Sequence, residues 1–258
     1  MFPVAKERVV GWLGLIFISA LLTIAGCSCS SAGSNKSRGA GILCLGDSQT
    51  YSTGYGVRID QYWPAQVQGL ANSGYALDLI NEGHSNWTTE DLLGIALQRI
   101  QTFAPKIVIL YAGVNDKGHS LSSAKTQSGI QSVIDTALSN GVSYVLVVNT
   151  NYLNYSTRGD NASTNTYYSN YQTLRTFQLA AANYGISRYG ASKVGYCDLF
   201  EYQKSLILAG TWKQGRWQDS QVADNNEHMN AAAQKATASF IWNTLKGVPG
   251  LLDAFKTP

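Results

Sequence analysis

Charge is scarce in this chain. Only 14% of its 258 residues are charged, and 19 Lys and Arg against 16 Asp and Glu leave a net charge of +3. So small a balance does not argue for nucleic acid. No Lys/Arg cluster interleaves with aromatics as a nucleic-acid groove would require. No Cys/His spacing resembles a metal site, so no metal and no organic cofactor is expected. No internal repeat appears. Histidine is rare as well, so chemistry that needs an imidazole has to choose among His84, His119 and His228. What is abundant is apolar: 45% hydrophobic content fits a packed globular protein, and the length suits one large domain or two small ones.

The long apolar run comes first. Lys6 and Arg8 precede 18 residues without charge, 9–26, which end in "LLTIAGC". A basic start, an apolar middle and a small-residue end are the parts of a signal peptide. Ile24-Ala25-Gly26-Cys27 resembles the lipobox of bacterial lipoproteins. The resemblance implies that residues 1–26 are removed and that Cys27 becomes the lipid-modified first residue, with more than one acyl chain for stable anchoring. The alternative is an uncleaved anchor, since the run could almost span a bilayer. The Ser/Gly-rich stretch after it makes residues 27–38 a flexible tether. The expected setting is therefore extracytoplasmic, with the chain anchored to the bacterial envelope through Cys27. Cys44 and Cys197 lie in apolar strand-like runs and read as buried thiols, although the compartment would permit a bridge between them.

From Gly41 onward, short apolar runs alternate with helical patterns. "GILCLGD", "YALDLINEG", "KIVILYAG", "VSYVLVVNT" and "KVGYCDLFEY" read as strands. Helical patterns separate them, one opened by Thr88 or Thr89 and stopped by Pro105, another closed by Asn140-Gly141. A last helix begins near "HMNAAAQ". Such alternation predicts a single domain over 39–258. It would be a three-layer α/β/α sandwich around a central, mostly parallel sheet of about five strands. Ligands of open α/β sheets bind beyond the carboxyl ends of the strands, so the loops there are the place to look for chemistry.

Four of those loops carry polar clusters. Gly46-Asp47-Ser48 follows the first strand, "NEGHSNWT" the second, Gly113-Val114-Asn115-Asp116 the third, and "ADNNEHMN" precedes the last helix. A serine hydroxyl is a poor nucleophile until a neighbouring base takes its proton, and histidine is the usual base near neutral pH. Acyl transfer also needs fixed donors for an oxyanion, supplied by backbone N–H groups and an amide side chain. A Ser, an exposed Gly, an Asn and a His on one sheet edge would make up an acyl-hydrolase site.

In this order the four clusters resemble the SGNH/GDSL hydrolase superfamily, and "YWPAQV" resembles its first helix. The resemblance implies a flavodoxin-like SGNH fold, Ser48 as nucleophile and His228 as base. It implies an oxyanion hole made of the Ser48 and Gly83 backbone N–H groups and the Asn115 amide. The sequence departs from the family pattern twice. Ser85-Asn86 stands where the second block commonly ends in Ser-Gly. The family places Asp three residues before the base, whereas Asp224 is four before His228 and Asn225 is three before. Asp224 is preferred as the partner of the imidazole because a carboxylate also stabilises the imidazolium, while Asn225 could accept through its amide oxygen without the charge. Asp116 reads as structural, and His119 as exposed.

The expected activity is hydrolysis of carboxylic esters of small molecules or glycans by an acyl-enzyme route. No long apolar lid is present, which argues against a lipase working at oil interfaces. A narrower alternative is a carbohydrate O-acetylesterase. A third, of another class, is a non-catalytic glycan-binding lipoprotein on a degenerate hydrolase scaffold. The segments 154–165 and 210–221 should rim the site. His84 is a candidate for the pocket wall, and Trp87, Trp212 and Trp217 for an aromatic platform under a sugar ring or an acyl chain. Packing under loops is the equal alternative for those tryptophans. Tyr167, Tyr168 and Tyr171 fall at helical spacing and read as packing.

Overall fold

The computed structural model describes residues 41–51, 57–152, 166–212 and 228–257, with the backbone alone for 166–169. The lipobox, the tether, Asp224, Asn225, Trp217 and most of the two long polar segments lie outside the described residues.

Five strands form one sheet: β1 (Ile42–Gly46), β2 (Leu79–Gly83), β3 (Ile107–Tyr111), β4 (Tyr144–Val148) and β5 (Val194–Cys197). Their order is β2-β1-β3-β4-β5, and every pairing is parallel. Among the described residues, six α-helices complete the layers: α1 (Trp63–Ala71), α2 (Thr89–Phe103), α3 (Ser123–Ser139), α4 (Thr166–Tyr189), α5 (Leu199–Leu208) and α6 (Ala231–Lys246).

The two-residue period of the strands divides the core into two. Ile42 and Cys44, then Ile107, Ile109 and Tyr111, then Tyr144, Leu146 and Val148, face one side and pack with Trp63, Val67, Phe200, Ile241 and Trp242. Leu43, Leu45, Val108, Leu110, Val145 and Val147 face the other and pack with Leu92, Ile100, Ile130, Ile134 and Ala181. Thus α1, α5 and α6 cover one face, and α2, α3 and α4 cover the other. All five residues of β1, β3 and β4 are buried, as central strands of a covered parallel sheet should be.

Local chemistry sets the ends. Thr88 caps α2: its hydroxyl accepts from the Asp91 N–H at 3.2 Å, and the Asp91 carboxylate accepts from the Thr88 N–H at 2.9 Å. Ala104 closes α2 in the left-handed region just before Pro105. Gly141, with φ 87°, ends α3.

One expectation needs correction. "KVGYCDLFEY" is not a single strand, because β5 stops at Cys197 and Asp198 starts α5. The Asp198 carboxylate accepts from the Glu201 N–H at 3.3 Å, and Leu199, Phe200 and Gln203 form the buried stripe. An apolar run too short to show a helical period hid the boundary. The question of a Cys44–Cys197 bridge closes as well. Both thiols are free, and their strands are three positions apart in the sheet, about 14 Å at normal strand spacing, well beyond the reach of a disulfide.

Candidate active site

The strand order reverses between β1 and β3. The chain runs from β1 out to β2 and then returns past β1 to β3. The crevice at such a switch point is where open α/β sheets bind ligands. Gly46, the last residue of β1, is in register with Gly83 of β2 and with Tyr111 of β3, so the three following loops leave the sheet side by side.

Ser48 sits on the first of them, buried at 6% exposure. The loop is one tight helical turn: the Asp47 carbonyl accepts from the Thr50 and Tyr51 N–H groups, both at 3.0 Å. The Asp47 side chain braces it from below. One carboxyl oxygen accepts from the Gln49 N–H at 2.9 Å, and the other faces the Val114 N–H of the β3 loop at 3.4 Å. Burial pushes the Asp47 carboxyl up to about 7; the Gln49 and Val114 N–H groups pull against this, and the Asp116 charge adds to it. Neutral Asp47 therefore lies under the serine turn on the acid side of neutrality.

The second loop departs from expectation at Gly83. Its N–H donates to the Asn81 side-chain oxygen at 2.9 Å, so it is already engaged. A Cβ there would stand 2.3 Å from the Tyr51 nitrogen and 2.4 Å from the Thr50 carbonyl carbon. Gly83 is glycine because the serine loop's backbone presses against it, and its N–H already has an acceptor. The nearby candidate is Asn86. It has φ 65°, the left-handed conformation that Asn adopts more readily than other residues with a side chain. The asparagine thus makes the turn that glycine commonly makes at this point of the block. Among the described residues, none accepts from the N–H groups of Ser48 or Asn86.

Asn115 belongs to the third loop. One of its amide hydrogens goes to the Trp87 carbonyl at 3.0 Å, which fixes the carboxamide and leaves the second hydrogen for a ligand. Asp116 is structural, as expected: it is buried and accepts from the Thr89 N–H at 2.8 Å and the Thr89 hydroxyl at 2.6 Å, tying the loop to the start of α2.

His228, also buried, directly precedes Met229 and the α6 cap Asn230. Two polar chains connect its neighbour to the serine loop. In one, the Gln49 side-chain oxygen accepts from Asn151 at 2.7 Å, and Gln203 Nε2 lies 3.4 Å from both Asn151 Oδ1 and Met229 Sδ. Tyr111 donates its hydroxyl to the same Asn151 oxygen. In the other, Trp63 Nε1 donates to the Gln49 carbonyl at 3.0 Å and the Trp63 N–H to Gln234 Oε1 at 3.0 Å; the Gln234 amide reaches the Met229 carbonyl at 3.5 Å. Gln49, Asn151, Gln203, Met229 and Gln234 are all essentially inaccessible. The residue after Ser48 and the residue after His228 are thus held in one buried frame. None of these linkers stood out in the sequence. Asn151 follows an uncharged strand, which was a usable signal, but Gln203 belongs to the helix that had not been recognised.

A cleft of about 950 Å³ opens beside Asn115, walled by the β3 loop, the start of α3 and the α4 face carrying Asn170, Leu174 and Phe177. Asn86 and His119 also line it. His119 is exposed, as expected, and its Nε2 lies 3.1 Å from Asn86 Oδ1. His84 is not on the cleft wall. Its ring stacks on Trp87 with centroids 3.8 Å apart, and its Nε2 lies 3.0 Å from Glu82 Oε2. Trp87 packs against the core under α2, α3 and α4 and Trp212 against the core under α1, α5 and α6, the packing that was the equal alternative for them. Tyr171 is buried in the core, as its spacing suggested, and also borders the cleft. Among the described residues, no cluster of His, Cys, Asp and Glu could hold a metal ion.

Comparison with known proteins points the same way. The sequence profile of the GDSL-like Lipase/Acylhydrolase family matches residues 44–241. No curated protein matches. Among solved structures, the acetyl xylan esterase AlAXEase superposes with a TM-score of 0.62 at 17% identity, over 79% of this chain and 98% of that one. The lipase/acylhydrolase from Enterococcus faecalis gives 0.61 at 15% identity, over 80% and 95%. A catalytic mutant of an acetylxylan esterase from Geobacillus stearothermophilus gives 0.61 at 15% identity, over 80% and 94%. At such identities the likeness is one of fold.

Proposed function

Because the chain belongs to the GDSL-like lipase/acylhydrolase family, we propose that it is a serine esterase working through an acyl-enzyme. One observation carries this reading: the buried frame that joins Gln49 to Met229 and so holds the Ser48 and His228 segments together at the sheet's switch point. In the proposed reaction His228 takes the Ser48 proton as Oγ attacks the ester carbonyl. The oxyanion is held by the Ser48 N–H, by the second amide hydrogen of Asn115 and by the Asn86 N–H, which takes the place expected of Gly83. His228 then gives its proton to the departing alcohol, and water clears the acyl group by the reverse path. Asp224 keeps the role of accepting from the imidazole on the strength of the family resemblance, because only a carboxylate also stabilises the imidazolium.

The test is hydrolysis of a short-chain aryl ester by the purified protein. Ser48→Ala should lower kcat by several orders of magnitude. An organophosphonate should label Ser48 in the unsubstituted chain. Full activity in the alanine variant would refute the nucleophile. Failure to label, with glycan binding intact, would favour the non-catalytic alternative.

The composition of the cleft favours a second, narrower reading. Amide and hydroxyl side chains, among them Asn170, Ser122 and Thr173, share its wall with Leu174 and Phe177, a mixture suited to sugars rather than to a long hydrocarbon chain. Carbohydrate O-acetylesterase activity would appear as acetate release from acetylated glycans that outpaces cleavage of longer acyl esters. For the chain's setting we infer lipid anchoring at Cys27 from the lipobox-like sequence alone. Cys27→Ala should move the protein out of the membrane fraction.

A further inference from the structure

The charge in the cleft beside Asn115 is one-sided. Among the described residues, the lining side chains that can carry charge near neutral pH are Lys117 and His119, and no carboxylate lines the wall. His119 has a countercharge close by, because Asp91, held low mainly by the Thr88 hydrogen bonds, also feels the imidazole. Among the described residues Lys117 has none, and its ammonium there reaches the side-chain oxygen of Asn170, a neutral amide across the cleft. The other lysine of this region, Lys125, is paired with Glu90 at 3.1 Å and is not on the cleft wall.

An ammonium facing a cleft with a neutral partner attracts any anion that enters. Lys117 lies only two residues after Asn115, whose free amide hydrogen is assigned to the carbonyl oxygen of the ester. We propose that the cleft receives a carboxylate: the substrate is an ester that carries a second, ionised carboxyl group, and Lys117 selects it. Candidates by chemistry are monoesters of dicarboxylic acids and acyl esters of acidic sugars. The hydroxyl and amide groups around Lys117 suit either. The proposal rests on the esterase reading and adds a substrate class to it.

The experiment uses the purified full chain and two matched ester pairs. The first compares the para-nitrophenyl monoester of glutaric acid with para-nitrophenyl pentanoate, which places the anion on the acid half. The second compares carboxy-nitrophenyl acetate with nitrophenyl acetate, which places it on the alcohol half. The quantity read is the ratio of kcat/KM, anionic over neutral. Beyond leaving-group effects, one pair should favour the anionic ester by about 3- to 5-fold, the scale of an exposed charge pair. That preference should shrink in high salt. Lys117→Met should abolish it and Lys117→Arg should keep it. An unchanged ratio in the methionine variant for both pairs, with neutral esters still cleaved, would overturn this proposal alone. Absence of any hydrolysis, together with failure of Ser48 to label, would remove the esterase reading and this proposal with it.

Discussion

Asp47 should make the stability of this fold depend on pH in a direction opposite to that of a paired surface carboxylate. Its carboxyl has no solvent exposure, and burial outweighs the two N–H groups that favour its ionised form, lifting it from 3.8 to about 7. The folded chain therefore keeps this proton between about pH 4 and pH 7, where the unfolded chain releases it. The contribution to stability is complete below the unfolded value and is lost as pH rises through the folded one. A move from 3.8 to about 7 corresponds to about 4 kcal/mol, a large share of a marginal fold. The assay is urea denaturation of the unsubstituted chain and of Asp47→Asn at a series of pH values from 4 to 8. The asparagine keeps an acceptor for the Gln49 N–H but has no proton to lose. Its amide group will face the Val114 N–H, so it will start from a lower stability. The difference between the two curves removes the other titrating groups, and it should narrow by about 4 kcal/mol across this range. Parallel curves would show that Asp47 titrates as an ordinary carboxyl and would refute the argument from burial.

Other substitutions test the neighbouring assignments. Asn115→Ala should lower kcat by about 100- to 1,000-fold with a smaller effect on KM, the loss expected for an oxyanion donor, as read by steady-state kinetics on an aryl ester. Asn86→Gly should fold and remain active, while Asn86→Ala should lose about 1 kcal/mol in denaturant melts, because alanine resists the left-handed backbone. Gly83→Ala should destabilise the chain by about 3 kcal/mol in the same melts, since its Cβ would meet the backbone of Thr50 and Tyr51.

The layers of the fold were legible in the sequence because each central strand is a short, uncharged, apolar run followed by a helical pattern. The period-2 division of β1, β3 and β4 between two cores follows from the same pattern. The α5 boundary was not legible: Asp198 reads equally well as the end of a strand or as a cap, and its bond from the Glu201 N–H and the burial of Gln203 separate the two. Ser48 and Asn115 stood out because polar residues at strand ends sit where open sheets bind ligands. Gly83 can be read in two ways from the sequence. A glycine before a loop can be required by a ligand or by another backbone, and here the other backbone is the Thr50–Tyr51 turn. The oxyanion candidate Asn86 is three residues further on, and only its positive φ separates it from the other loop residues.

Ser48 and His228 are held by different means, and the difference bears on how activity could be lost. Ser48 follows a strand that is paired along its whole length on both sides, so its position is set by the sheet. Among the described residues no strand flanks His228, and the residues that follow it are firmly held: Met229, gripped at its sulfur by Gln203 and by Thr237 at 3.1 Å, and Asn230, which caps α6. Gln203 also accepts from the Tyr152 N–H at 2.7 Å, so this one side chain sets the spacing between the β4 loop and the histidine segment. Gln203→Leu should therefore act mainly on kcat, because a displacement of about 1 Å between nucleophile and base can cost about 100-fold. The histidine's own chemistry would be intact, so the pH profile of the remaining activity should keep its shape while its height falls. Gln203→Glu retains an acceptor for Tyr152 but loses the amide that reaches Met229, and should show the same loss of kcat. If both variants fold and keep full kcat, the frame is only a filler of the core, and the histidine must be held from its other side.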